Sequence, residues 1–263
     1  MLTIREILQQ SRVEGDVGIE VEVEADSPLP EDGHPTIWAS ERDGSLRGYC
    51  REYITKGPLP IGAVREEIST LYDHLKDSDI VDSFRAGVHI HVNCQDLTVE
   101  QVLNFTCVYY SLEDALMKFC GELREGNHFC LRLKDAEFPL HMLMSVADTG
   151  DIDYLRTDNL RYSAMNLRAL TIYGSLEFRG METTSTFSKI PEWAEILVKI
   201  RDYSASLSRR EAIAYEISAQ GPENWVRDIL GDELFALINY PEFQADVVTR
   251  MRDIQPLIFS RDD

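Results

Sequence analysis

Three polar pairs recur with one spacing in this 263-residue chain: Glu20 with Glu22, His89 with His91, and Glu177 with Arg179, each split by one apolar residue. A spacing of two puts both members of a pair on one face of a β-strand. Val17, Ile19, Val21 and Val23 alternate with Gly18, Glu20, Glu22 and Glu24, the period of a half-buried strand with three carboxylates on one side. Alternate strand residues lie about 6–7 Å apart, so neighbouring carboxylates repel by about 2–3 kcal/mol at an effective dielectric near 20. Such a row calls for positive charge above it, unless it belongs to an edge strand whose charges discourage aggregation. Gly87, His89, His91 and Asn93 likewise oppose Val88, Ile90 and Val92. Two imidazoles on a polar face suit a metal or a phosphate, with cross-strand hydrogen bonding as the simpler alternative. Leu176 and Phe178 point one way while Glu177 and Arg179 share the other, and Glu52 offers a further acid or else a salt bridge to Arg51 or Lys56.

If these strands pair in one sheet with helices behind it, their polar faces converge on a concave surface of carboxylates, imidazoles and a guanidinium. Hard oxygen ligands with few nitrogens suit Mg²⁺ or Mn²⁺ better than a closed structural zinc site, which favours cysteines. A guanidinium beside them is what a transferring phosphoryl group or a substrate carboxylate requires.

The elements that must position these residues read as a mixed α+β domain. Residues 1–15 form a short leading helix or arm, and the turn-rich 26–35 reads as a loop in which His34 is solvated. Thr36–Ser40 and Arg51–Ile54 are expected strands around an Asp43-Gly44 turn. Residues 62–76 carry Val64, Ile68, Leu71 and Leu75 at helical spacing, with His74 idle on the wet side. Thr98 with Gln101 forms a capping box ahead of a long core helix ending at Gly121, in which Cys107 and Cys120 are packed thiols. Residues 122–160 read as irregular, with Arg124, Asn127, His128, Cys130, Arg132 and Lys134 as a positive cluster that either reaches over a bound anion or is merely solvated. Asn166–Ile172 and Ser175–Gly180 are expected strands around Tyr173-Gly174. Helices follow: one marked by Trp193 and Ile200, one capped by Ser208 and Glu211, and shorter ones after Pro222, Asp232 and Pro241.

A net charge of −20, from 46 acidic and 26 basic residues, argues against duplex nucleic acid or an anionic membrane as partner, although cations over a carboxylate cluster still allow ATP. Five cysteines without a CxxC pair, and a beginning interrupted by Arg5 and Glu6, lead to the expectation of reduced thiols in a cytoplasmic protein with no membrane span.

Taken in order, Gly18-Ile19-Glu20-Val21-Glu22, Asp43-Gly44-Ser45-Leu46 followed by Glu52, Gly87-Val88-His89-Ile90-His91, Arg161-Tyr162 followed by Asn166, and Leu176-Glu177-Phe178-Arg179 resemble the motifs of the putative amidoligase family. That family sits with glutamine synthetase and γ-glutamylcysteine synthetase among ATP-dependent carboxylate–amine ligases. The resemblance spans about residues 16–200. It implies a glutamine-synthetase-like antiparallel curved sheet with helices on its convex face, over a catalytic domain at 16–207, with 208–263 as a helical extension packed on it. It also implies an ATP- and Mg²⁺-dependent (or Mn²⁺-dependent) ligase acting through an acyl phosphate on small-molecule or peptide carboxylates and amines. By position, Glu20, His89 and Glu177 match the ligands of one metal and Glu22 and Glu52 those of a second. His91 matches a nucleotide-phosphate contact and Arg179 the arginine that neutralises the transferring phosphate. Arg161 and Asn166 match substrate or phosphate contacts more weakly, and Glu24 and Asp43 rank below them. A homo-oligomer is compatible with the reading. Two other readings stay open: a phosphotransferase on the same sheet, since guanidino kinases resemble this fold, and a non-catalytic acidic interaction protein. A cysteine hydrolase on Cys94 or Cys130 lacks an orienting motif.

Overall fold

The computed structural model describes residues 1–30, 37–124, 126–128, 130–136, 138–184 and 187–260. His34 and Thr36 of the expected loop and strand lie outside the described residues. A capping box at Thr3 and Glu6 opens a short helix, α1 (Ile4–Leu8). The carboxylate stretch is β1 (Val17–Ala25), followed by β2 (Trp38–Glu41) and β3 (Tyr49–Thr55). Next come α2 (Val64–Leu75), the two-residue β4 (Ile80–Val81), and the histidine strand β5 (Gly87–Asn93). The capping box of Thr98 and Gln101 opens α3 (Val99–Cys120), whose amide–hydroxyl bond is 3.3 Å.

Two expectations for the following stretch are corrected. Residues 138–149 are not irregular but form α4 (Phe138–Thr149). The segment Asn166–Ile172 is not a full strand: only β6 (Met165–Asn166) pairs, and α5 (Arg168–Tyr173) follows. The Asn166 side chain accepts from the Arg168 amide at 3.0 Å, which turns the chain into that helix. Gly174, at φ 71°, is its left-handed C-cap rather than a hairpin turn. Then come β7 (Ser175–Glu182), α6 (Ile190–Ser206), α7 (Glu211–Gln220), α8 (Pro222–Leu230), α9 (Asp232–Ile238), α10 (Phe243–Asp253) and α11 (Gln255–Ile258). The expected Ser208 cap on α7 is absent: its N-cap is Arg210, with no side-chain hydrogen bond.

Among the described residues the sheet has seven strands in the order β2-β3-β1-β5-β7-β6, with β4 also on β1, and every ladder is antiparallel. Helices and strands thus mix in an α+β arrangement. The apolar residues of β1 and β5, Val17, Ile19, Val21, Val23, Val88, Ile90 and Val92, are all wholly buried. Helices α3 and α6 cover that face: Phe178 of β7 meets Phe105 at 5.5 Å, Tyr109 at 4.9 Å and Trp193 at 6.4 Å between ring centres. Burial of such side chains contributes about 1.5–3 kcal/mol each. Of the later helices, α9 and α10 pack against α3, where Arg250 of α10 lies 3.0 Å from Asp114. All five cysteines are free thiols, and no helix among the described residues is long and apolar enough to cross a membrane.

Candidate metal and nucleotide site

The strand registers assemble the polar face opposite these helices. Glu22 pairs with Glu52, Glu20 with His89, Gly18 with His91, and His91 with Glu177, which in turn pairs with Asn166. Five strands therefore bring residues far apart in sequence into one array. Between Val88 and Ile90 the β5–β7 register slips by one residue, so Arg179 and Gly180 both stand opposite His89. A bulge at this point re-aims the arginine.

Glu20 is the hub. One oxygen meets His89 Nδ1 at 3.1 Å and the other His91 Nε2 at 3.2 Å. Burial opposes ionisation of Glu20, but the hydrogen bonds from the two histidines outweigh it and hold its carboxyl well below the usual range. His89 Nδ1 also lies 3.7 Å from Glu177, and its Nε2 lies 3.8 Å from Glu22. His91 is fixed on its other side by Ser175 Oγ at 3.1 Å. Glu177 receives the Asn166 amide at 2.5 Å and an ion pair from Arg179. Although burial opposes it, the Arg179 guanidinium and then the two histidines keep Glu177 ionised below its ordinary value.

At the other end of the row burial outweighs the positive charge nearby. Burial raises the Glu22 carboxyl, which accepts the Gly87 amide at 2.7 Å. Burial, together with Glu20, Glu22 and Asp43 nearby, pushes Glu52 up to about 8. Among the described residues three overlapping trios offer ligand atoms within 4.8 Å of one another: Glu20, His91 and Glu177; Glu20, Glu52 and His89; and Glu22, Asp43 and Glu52. With Nδ1 engaged by Glu20, His89 Nε2 is buried without a hydrogen-bond partner among the described residues. Crowded acids beside an unused imidazole nitrogen are a donor set that fits divalent cations.

Not every expected residue joins this array. Arg161 is exposed, with its guanidinium 5.4 Å from the Tyr162 ring, and makes none of the site's hydrogen bonds or ion pairs. Asn166 does join the array, through the amide it donates to Glu177. Glu24 accepts the Arg47 amide at 2.6 Å and so braces the β2–β3 connection. Asp43, ranked low from sequence, joins Glu22 and Glu52 because its Asx turn onto the Ser45 amide, 2.6 Å, holds it over β1 and β3. The positive cluster after α3 divides: Arg132 and Lys134 engage Asp114, His128 is exposed, and Arg124 is buried on the polar face against Gly87.

Beside the His91 end lies a cleft of about 670 Å³, of a size that suits a nucleotide. Gly18, Glu20 and His91 form part of its floor, with Val13, Pro58, Ile172 and Tyr173 among its walls. The amino-terminal arm enters here because Gln95 accepts the Val13 amide at 2.9 Å, an anchor that periodicity alone does not reveal.

A sequence-family profile described as "putative amidoligase enzyme" matches residues 54–201, more than half of the chain. The match takes in His89, His91, Asn166, Glu177 and Arg179; Glu52 lies just ahead of it, and Glu20 and Glu22 lie further towards the amino terminus. No curated protein matches the chain.

Proposed function

The chain belongs to the putative amidoligase enzyme family, and from that premise we propose that it is an ATP-dependent carboxylate–amine ligase related to glutamine synthetase and γ-glutamylcysteine synthetase. Membership supports an enzyme of the ligase kind. The observation that carries the finer reading is the meeting of Glu20, Glu22, Glu52, His89, His91, Glu177 and Arg179 on one sheet face beside a nucleotide-sized cleft.

In this reading the cleft holds ATP with its phosphates directed along the carboxylate row. The resemblance puts one Mg²⁺ or Mn²⁺ on Glu20, His89 and Glu177, whereas the trios whose ligand atoms lie within reach of one another join Glu20 either to His91 and Glu177 or to Glu52 and His89; Glu22, Glu52 and Asp43 would hold a second ion, and when bound these cations supply Lewis-acid neutralisation of the polyphosphate. A substrate carboxylate is a poor acyl donor because its oxygen leaves reluctantly. Its oxygen attacks the γ-phosphorus, the bond from phosphorus to the β–γ bridging oxygen breaks, and ADP departs with the electron pair. Arg179, aligned by Glu177, balances the charge on the moving phosphoryl group. Asn166 keeps Glu177 in that orientation, and Ser175 keeps His91 turned to the face. The amine, once deprotonated, attacks the acyl carbon, and phosphate leaves as the amide forms. Free thiols suit a reducing, cytoplasmic setting.

Incubation with MgATP, mixed carboxylates and amines, followed by mass spectrometry, tests the proposal. The ligase reading expects ADP, free phosphate and a product lighter than its two substrates by one water. A phosphorylated product without free phosphate supports the phosphotransferase instead, and unchanged ATP overturns both.

A further inference from the structure

Arg124 lies on the polar face although no strand carries it. Its guanidinium occupies the space where residue 87 would bear a side chain: a β-carbon on Gly87 would stand 2.9 Å from Arg124 Cζ and 3.0 Å from Nη1. It therefore extends the row His91, His89, Gly87, beside Glu22, which accepts the Gly87 amide. The residue is 1% exposed, and one of its bonds is from Nη2 to the Arg179 carbonyl at 2.8 Å. Its Nε and Nη1 are buried without a hydrogen-bond partner among the described residues, as is Nε of Arg179, while the Glu22 carboxylate and the Cys130 thiol lie near enough to feel its charge. The nearby Glu182 carboxylate is spent on the Leu123 amide at 3.2 Å, and Arg124 makes no ion pair among the described residues.

A buried guanidinium with unfilled donors is strongly unfavourable unless an anion completes it. The planar fork of an arginine matches phosphoryl oxygens two at a time. From Gly18 and His91, at the cleft, to Glu22 and Gly87 is four residues of strand, about 13 Å, so Arg124 stands inward of the cleft along the carboxylate row. In the ligase reading, the part of ATP that would reach it is the end of the polyphosphate, not the base.

We propose that Arg124 is a second arginine of the site and binds, together with Arg179, the phosphoryl group that passes from ATP to the substrate carboxylate. The inference rests on the ligase reading above. Gly87 is then part of the device, since only a residue without a β-carbon leaves the guanidinium its place.

Calorimetry with the Mg²⁺ complexes of ADP and of a nonhydrolysable ATP analogue tests this on the wild type, Arg124→Lys, Arg124→Gln and Gly87→Ala. Loss of a charge-assisted contact to the terminal phosphoryl weakens the analogue about tenfold or more in Arg124→Gln and Gly87→Ala, while ADP stays within about twofold. Arg124→Lys, which keeps the charge without the fork, falls between. Urea midpoints of each variant show that folding persists, and Arg124→Lys with Gly87→Ala keep the test alive if Arg124→Gln unfolds. Equal weakening of analogue and ADP assigns Arg124 a structural role and overturns the inference, as does no weakening. A wild type that binds both nucleotides while the variants match it refutes Arg124 alone. A wild type that binds neither refutes the ligase reading and the inference with it.

Discussion

Replacing Glu52 by glutamine separates the cost of the carboxylate cluster from its use. In the folded chain, burial and the neighbours Glu20, Glu22 and Asp43 push the Glu52 carboxyl up to about 8, against an ordinary value of 4.5. Folding therefore takes up a proton near neutral pH. Because the folded value is the higher one, this group's contribution to stability is fully present below about 4.5 and is lost as pH rises through about 8. At pH 7 the uptake corresponds to about 3 kcal/mol, and because Glu52 is only half-buried, solvent screening leaves about 1–2 kcal/mol. Glu52→Gln keeps the shape and removes the proton uptake. Urea unfolding in the presence of a chelator at pH 7.5 should find the variant more stable by about that amount, with the gap closing at pH 4.5. Mg²⁺ should act in the opposite sense. An ion at 100 times its dissociation constant stabilises the wild type by about 2.7 kcal/mol, and the variant, short of a ligand from two of the three trios, should gain less than about half of that. A variant less stable than wild type without metal, or equally stabilised by Mg²⁺, would refute the reasoning.

Other consequences follow from the same geometry. His89→Ala and Glu177→Gln, each removing a donor from the polar face, should lower ATP turnover at least about 100-fold while near-UV circular dichroism stays native; wild-type-like turnover in either would falsify the metal assignment. Tyr173, 61% exposed on the cleft wall, can be cut to alanine without loss of core, and nucleotide affinity should fall by about 1 kcal/mol with the melting temperature unchanged. Burial pushes Glu113 of α3 up to about 8, with Asp114, Arg132 and Arg250 facing it and the Leu133 amide on one oxygen. Since that folded value exceeds the ordinary 4.5, its stabilisation declines between about pH 4.5 and 8; Glu113→Gln should gain on the wild type in melts taken at pH 8.5 compared with pH 5.

The polar face was legible where local alternation and tertiary burial agree. In β1 and β5 every second residue is apolar and fully buried, so the side on which Glu20, Glu22, His89 and His91 stand follows from period alone. The start of α3 was equally legible, because a capping box acts through neighbours in sequence. Helix α4 was not: Phe138 to Ala147 is apolar almost throughout, which erases the helical period, and its buried face is set by what packs on it. The segment before Gly174 reads as a strand because Leu167, Ala169 and Thr171 are spaced by two, yet Leu170 is buried as well and the Asn166 side chain starts a turn. Asp43 and Arg124 depend on where loops land. Nothing local to Asp43 says that its turn folds over Glu22 and Glu52, and the burial of Arg124 is decided by Gly87, 37 positions earlier in the chain.

We propose that the acids and imidazoles of four strands, β1, β3, β5 and β7, form one seat for divalent cations. Electron paramagnetic resonance of Mn²⁺ added to chelator-treated protein measures this directly, because bound and free ions give different signals. The account predicts saturable loss of the free-ion signal with the wild type, and weaker uptake by Glu20→Gln and Glu177→Gln that remain folded. A free-ion signal that grows in proportion to the Mn²⁺ added, or uptake untouched by both substitutions, would contradict it.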